Sequence, residues 1–114
     1  VAAWKLTVRE GSDVTRLKFD DLDQALEETR ARIEAISAGE PLGKISAIRD
    51  YEPEKLVKAR LEITGKGLIK PPTAGVDIHG DNSIVGFSGG VSRKELEGST
   101  PAQIVHSMRE SLSQ

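Results

Sequence analysis

Gly86-Phe87-Ser88-Gly89-Gly90 has the G-x-S-x-G spacing of a nucleophile elbow, and Glu95, Glu97 and His106 follow it in the order serine, acid, histidine. In an elbow a sharp strand-to-helix turn exposes the serine hydroxyl, an imidazole takes its proton and an acid orients the imidazole. The context speaks against that chemistry. Val91 to Leu96 offers no helical stripe directly after the serine, and 114 residues are too few for the parallel sheet the elbow requires. The residues read instead as a glycine-rich bend between strands.

Asp77-Ile78-His79-Gly80-Asp81 is the second chemical candidate. Alternation along a strand puts Asp77 and His79 on one face, with Asp81 just past the turn. Carboxylates and an imidazole at this spacing suit a metal ion or a proton relay. Further ligands would have to converge from elsewhere. The competing reading is a polar strand face closed by a turn aspartate that bonds its own backbone. Gly65-Lys66-Gly67 with Lys70 offers backbone N–H groups and two ammonium charges to a phosphate, without the P-loop spacing or a strong helix behind it, so a connecting loop is the better reading.

The third candidate is a charged surface. Trp4-Lys5-Leu6-Thr7-Val8-Arg9 alternates strictly, so Trp4, Leu6 and Val8 share one face and Lys5, Thr7 and Arg9 the other. Glu10 to Asp13 is turn chemistry, and Val14 to Phe19 runs back with Thr15, Leu17 and Phe19 inward and Arg16 and Lys18 outward. The hairpin collects Lys5, Arg9, Arg16 and Lys18 on its outer face, the densest positive cluster in the chain. A solvated strand face explains it without function; a small anionic ligand or a nucleic acid explains it with one. Only Trp4, Phe19, Tyr51 and Phe87 are aromatic, which leaves few rings for stacking bases.

These groups are positioned by elements whose anchor is Asp20 to Gly39. Leu22, Ala25, Leu26, Thr29, Ile33 and Ile36 recur at three- and four-residue steps and line one face of a helix. Asp20 or Asp21 caps its start, Glu28 and Arg32 pair across a turn, Gly39 supplies a left-handed end and Pro41 forbids continuation. A third strand is expected at Ile45 to Tyr51. Val57, Ala59, Leu61 and Ile63 alternate with charged residues, so Lys55 to Thr64 reads as a strand, against a competing helix from Pro53 to Leu61. Gly75 to His79 and Ser83 to Ser88 form a hairpin around Gly80-Asp81-Asn82, and after Gly89-Gly90 the strand is expected to continue from Val91 to Leu96. Thr100, Pro101 and Gln103 open a second helix with the stripe Ile104, Val105, Met108 and Leu112.

Phe19 to Leu26, with the hairpin before it, resembles the opening of HicB-type antitoxins, in which a similar hairpin precedes a helix that starts near an acid-rich turn. The likeness covers roughly a third of the chain and rests on capping chemistry. The glycine- and proline-rich middle of that family is absent here, and the resemblance carries no function onto these residues.

The expected fold is therefore α+β: two layers, one antiparallel sheet built from the N-terminal hairpin and the C-terminal strands, with both helices on one face. Residues 1–114 form one domain of ordinary composition, 37 % hydrophobic and 30 % charged, with net charge −2. Absence of cysteine removes disulfides, thiolate catalysis and cysteine zinc sites. No membrane-spanning run and no signal peptide is visible, and the chain is expected to be cytoplasmic. With no convergent catalytic set, the sequence points to a non-enzymatic interaction domain without a cofactor. Its expected partner is a protein, a second copy first, because the C-terminal half offers a long strand edge. Recognition of nucleic acid or a small ligand by Lys5, Arg9, Arg16 and Lys18 is the alternative, and a small metal-dependent enzyme around Asp77 and His79, with Asp81, the second.

Overall fold

A computed structural model describes residues 3–39, 56–66, 71–89 and 93–113. The first hairpin is β1 (Trp4–Glu10) and β2 (Asp13–Phe19), joined by two residues, with Gly11 at φ +60. That position in a two-residue hairpin loop needs a left-handed backbone, which glycine supplies without a Cβ clash. Helix α1 (Leu22–Ser37) follows, then β3 (Val57–Gly65), β4 (Thr73–His79), β5 (Ile84–Ser88), β6 (Lys94–Leu96) and helix α2 (Pro101–Leu112). The six described strands form one sheet in the order β2-β1-β3-β4-β5-β6, with every neighbouring pair antiparallel. Chain order and sheet order differ at one place. β3 pairs with β1 rather than β2, so the chain crosses the sheet through α1 and leaves β2 at the edge.

Both helices lie on the same side. α1 packs over β1, β2, β3 and β4, α2 over β4, β5 and β6, and the helices touch each other. The register lines up Leu6, Val8, Ala59, Leu61, Ile63, Ala74, Val76 and Ile78 beneath them, all buried. Ala25, Leu26 and Ile33 from α1, and Ile104, Met108 and Leu112 from α2, fill the space above. Burial of each large apolar side chain in this layer contributes about 1.5–3 kcal/mol. Thr29 is also fully buried, and its hydroxyl donates to the Ala25 carbonyl at 2.8 Å, so it carries no unpaired donor into the core. The fold class expected from the sequence is the one observed.

The helix starts follow the expected capping, with differences in detail. Asp21 caps α1: its Oδ1 accepts from the Asp23 N–H at 2.6 Å and the Gln24 N–H at 3.3 Å. Thr100 caps α2, its hydroxyl accepting from the Gln103 N–H at 3.2 Å. The Gln103 side chain reaches back one residue further than a capping box, to the Ser99 N–H at 3.0 Å. Asp21→Ala and Thr100→Ala are each expected to lower unfolding free energy by about 1 kcal/mol. The urea midpoint should fall at an unchanged slope, and an unchanged midpoint would show the caps to be replaced by water. Glu28 and Arg32 pair at 2.6 Å as expected, Arg30 bonds both Glu27 and Glu34, and Arg109 of α2 pairs with Asp23 of α1.

Several expectations change. Gly39 is not left-handed: α1 ends at Ala38 with φ −82, and the Gly39 N–H reaches the Ile36 carbonyl at 3.1 Å in a tightened last turn. Thr15 is exposed, on the edge strand β2. The competing helix gives way to strand over Val57–Leu61, where pairing with β1 on one side and β4 on the other rewards the alternation. After Ser88 the chain does not continue in the same direction. Gly89 takes φ +87, and β6 returns antiparallel, with Lys94 opposite Ser88. Among the described residues the longer sheet edge is N-terminal. β6 has three residues, whereas β2 leaves a seven-residue edge. The expected strand at Ile45–Tyr51 lies outside the described residues.

Candidate ligand face

With both helices on one side, no described element covers the other side of the sheet. Register decides what stands there. Lys5 lies opposite Lys18, Thr7 opposite Arg16 and Arg9 opposite Val14, so the four cations anticipated from the sequence do share this open face, and all four are exposed. None has an ionic partner among the described residues. The pairing of β1 with β3 adds what the sequence did not reveal. Arg9 lies directly opposite Arg60, Thr7 opposite Glu62 and Lys5 opposite Thr64. Two like-charged pairs, Lys5 with Lys18 and Arg9 with Arg60, thus face each other across neighbouring strands. Like charges directly opposite destabilise a sheet, an effect offset at Arg60 by its ion pair with Asp77.

The two ends of this face are concave. At one end Trp4, Lys5, Lys18, Thr64 and Lys66 surround a hollow of about 300 Å³. At the other, Thr7, Arg9, Arg60, Glu62 and Arg93 surround one of about 310 Å³. The second hollow has a framework. Arg60 Nε and Nη2 donate to Asp77 Oδ1 and Oδ2 at 2.5 and 3.1 Å, a bidentate grip that fixes the guanidinium. The same carboxylate holds the Arg60 pKa above the ordinary arginine value. Arg93 lies over the Phe87 ring at 4.3 Å from its centroid, with Arg60 at 5.7 Å, and its Nη2 stands 3.7 Å from Glu62 Oε2. Phe87 projects to this open side yet is only 5 % exposed. Its partner across the strands is Gly75, whose missing side chain leaves the slot the ring fills.

The other candidates are positioned as follows. Asp77 and His79 share the open face of β4, but Asp77 is engaged by Arg60. Asp81 turns back on its own loop, with Oδ1 accepting from the Ser83 hydroxyl at 2.6 Å and the Ser83 N–H at 2.9 Å. The hydroxyl first, and then the N–H, hold its carboxyl below the usual range. Asn82 takes φ +70, its N–H donating to the His79 carbonyl at 2.9 Å, and its side-chain amide donates to the Gly39 carbonyl at 2.8 Å. This is a three-residue hairpin loop tied to the end of α1, the work of a turn aspartate and a left-handed asparagine. Among the described residues no group of three or more His, Cys, Asp or Glu is placed to hold a metal ion. Ser88 ends β5 and is followed by the left-handed Gly89, while His106 pairs with Glu110 at 2.7 Å on the exposed face of α2. Gly65 donates its N–H to the Pro72 carbonyl at 2.8 Å; Gly67 and Lys70 lie outside the described residues.

Arg60, Arg93, Phe87 and Gly75 are the residues sequence reasoning did not place in a site. The only local signal was the alternation of Arg60 with Ala59 and Leu61, which says outward but not beside what. No helix among the described residues is long and apolar enough to cross a membrane. No protein-family model matches the sequence, and neither the curated proteins nor the solved structures give a match.

Proposed function

We propose that this chain is a non-catalytic binding module that takes an extended polyanion, the backbone of a nucleic acid, on the open face of its sheet. The observation that carries the reading is the pair of opposed like charges, Lys5 against Lys18 and Arg9 against Arg60. Lys5 against Lys18 works against the fold, and an anion bridging the pair reverses the sign of the interaction. Arg60, whose charge Asp77 already offsets, adds a fixed donor beside Arg9. The shape of the cluster decides between an extended ligand and a small one. Lys5 and Arg9 are four residues apart on β1, which spans roughly 13 Å. A row of that length, with hollows at both ends, suits successive phosphates better than one compact anion. Net charge of −2 does not oppose it. Acids such as Glu27, Glu34 and Asp23 sit on the exposed side of α1, on the far side of the molecule from the row.

The described rings take little part in the proposed contact. Trp4 and Phe19 pack against the core and Phe87 is covered by Arg93, so recognition rests on charge and discriminates weakly among bases. The test is fluorescence anisotropy with mixed-sequence single-stranded DNA and RNA across a salt series. Binding that weakens linearly in log–log form with salt is expected. No binding to any of these ligands at about 50 mM salt, where phosphate contacts are strong, would overturn the proposal.

The free edge of β2 favours a second reading, pairing with another copy. Because the Gly11-Ser12 loop makes Glu10 and Asp13 a hydrogen-bonded pair, alternation points the N–H and C=O groups of Val14, Arg16 and Lys18 outward. Charge ranks it second: an antiparallel β2 pair brings the Arg16 and Lys18 rows of two copies together, and basic residues on an edge strand are a common guard against such pairing. Light scattering should give a monomer at low salt. A low-salt dimer that Arg16→Pro returns to monomer would put self-association first.

A further inference from the structure

The arginine end of the open face differs from the rest of the row, because its charges are held in place rather than free. Arg60 is clamped from behind by Asp77 through Nε and Nη2, which leaves Nη1 available for another acceptor. The Arg93 guanidinium sits over Phe87, 4.3 Å from the ring centroid, and the ring in turn is seated in the slot above Gly75. Arg9 stands in register with Arg60, and Thr7 contributes a hydroxyl. Three guanidiniums therefore converge on one hollow of about 310 Å³, whose only acidic lining residue among the described residues is Glu62. The 3.7 Å separation between Arg93 Nη2 and Glu62 Oε2 is too long for a hydrogen bond, so that ion pair leaves donors unused.

We propose that this hollow is a subsite for a single phosphate group, with Arg9, Arg60 and Arg93 as charge-assisted donors and the Thr7 hydroxyl as a neutral one. The inference deepens the reading of the open face as a polyanion surface, and shares Arg9 with it. The preorganisation is what sets the subsite apart. A guanidinium already fixed by a carboxylate or a ring loses less side-chain freedom on meeting its ligand than an unrestrained lysine does. Phosphate also matches planar guanidinium donors in two-point contacts, which a row of ammonium groups cannot make. Glu62 is the adverse group: it cancels part of the positive charge and competes for Arg93. Its position makes a prediction that a purely structural role for these arginines does not share.

The experiment follows inorganic phosphate, and separately pyrophosphate, by amide chemical shifts in the folded chain at low salt. Saturable shifts centred on Thr7, Arg60 and Arg93 are expected. Arg93→Gln should weaken binding about tenfold, the loss of one charge-assisted contact. Glu62→Gln should tighten it severalfold, and the double variant Lys5→Gln with Lys18→Gln should weaken it much less than Arg93→Gln does, since those charges act only at long range. Thermal unfolding of each variant separates lost binding from lost fold, and Arg60 is left intact because it anchors Asp77. Shifts spread evenly to Lys5 and Lys18, or a Glu62→Gln variant that binds no tighter, would overturn the subsite. Oligonucleotides with and without a 5′-phosphate identify the source. Preference for the phosphorylated end marks a terminal monoester, equal binding weakened alike by Arg93→Gln marks an internal diester, and equal binding indifferent to Arg93→Gln counts against the subsite. The two readings fail separately. Should Lys5→Gln with Lys18→Gln leave nucleic-acid affinity intact while Arg93→Gln weakens phosphate binding about tenfold, the row falls and the subsite stands.

Discussion

Arg16→Glu combined with Lys18→Glu is expected to remove most nucleic-acid binding while leaving the fold as stable as before, or more so. The two effects have opposite signs because the same charges enter both. In the native sheet Lys18 faces Lys5 directly, and Arg16 faces Thr7 with Arg9 on the diagonal. The carboxylate introduced by Lys18→Glu would face Lys5 as an opposite-charge pair, a contact worth roughly 0.2–1 kcal/mol in favour of folding. Binding responds the other way. Four cations contacting phosphates of a single strand give a log–log salt slope of about −2.8, at roughly 0.7 per phosphate, and removing two lowers it to about −1.4. Between about 50 and 200 mM salt the native chain should therefore lose about 50-fold in affinity and the variant about 7-fold. The check is anisotropy across the salt series together with urea unfolding of both chains. A variant that binds as tightly, with the native slope, would show that the row makes no phosphate contacts. A variant that loses both binding and stability would show that the cations serve the fold, and the proposed trade between the two would be lost.

What the sequence could disclose about this face follows from how far each interaction reaches along the chain. The hairpin is local: alternation on either side of Gly11 was enough to place Lys5, Arg9, Arg16 and Lys18 together. The α1 stripe is local too, and Ala25, Leu26, Thr29 and Ile33 are the residues it buries. Asp81 was legible as a turn aspartate because its partner, Ser83, is two residues away. The arginine hollow was not legible. It depends on β3 lying beside β1, a neighbour relation made by the crossover through α1, and nothing in the period of either strand specifies it. Arg60 and Asp77 are 17 residues apart and meet only once β3 and β4 are in register. Thr15 and Gly39 failed for a related reason. Local pattern said inward for the one and left-handed for the other, but tertiary context decided: Thr15 lies exposed on the edge strand β2, and a tightened turn at Ala38 and Gly39 satisfies the end of the helix.

Gly75→Ala should be among the most damaging single-methyl additions in the chain, and it tests how the open face is built. A Cβ at that position would stand 2.3 Å from the Leu61 carbonyl oxygen and 2.6 Å from Phe87 Cζ, both far inside contact distance. The ring has a way out, since the Arg93 side chain over it is long and partly exposed and can shift. The carbonyl has none. It belongs to β3, which is hydrogen-bonded into the middle of the sheet between β1 and β4, so relief there means spreading two paired strands. Overpacking of this kind costs about 1–3 kcal/mol, and the backbone clash puts Gly75→Ala at the upper end. A double-mutant cycle with Phe87→Leu separates the two contacts. Were the ring the main obstacle, Phe87→Leu would rescue Gly75→Ala almost fully. Because the nearer and less yielding contact is the carbonyl, only partial rescue is expected in urea unfolding, and full rescue would overturn that assignment. The cycle also reports on the phosphate subsite. Phe87→Leu removes the plane on which Arg93 rests, so it should weaken phosphate binding even where stability is restored, which ties the glycine slot to the ligand face through one ring.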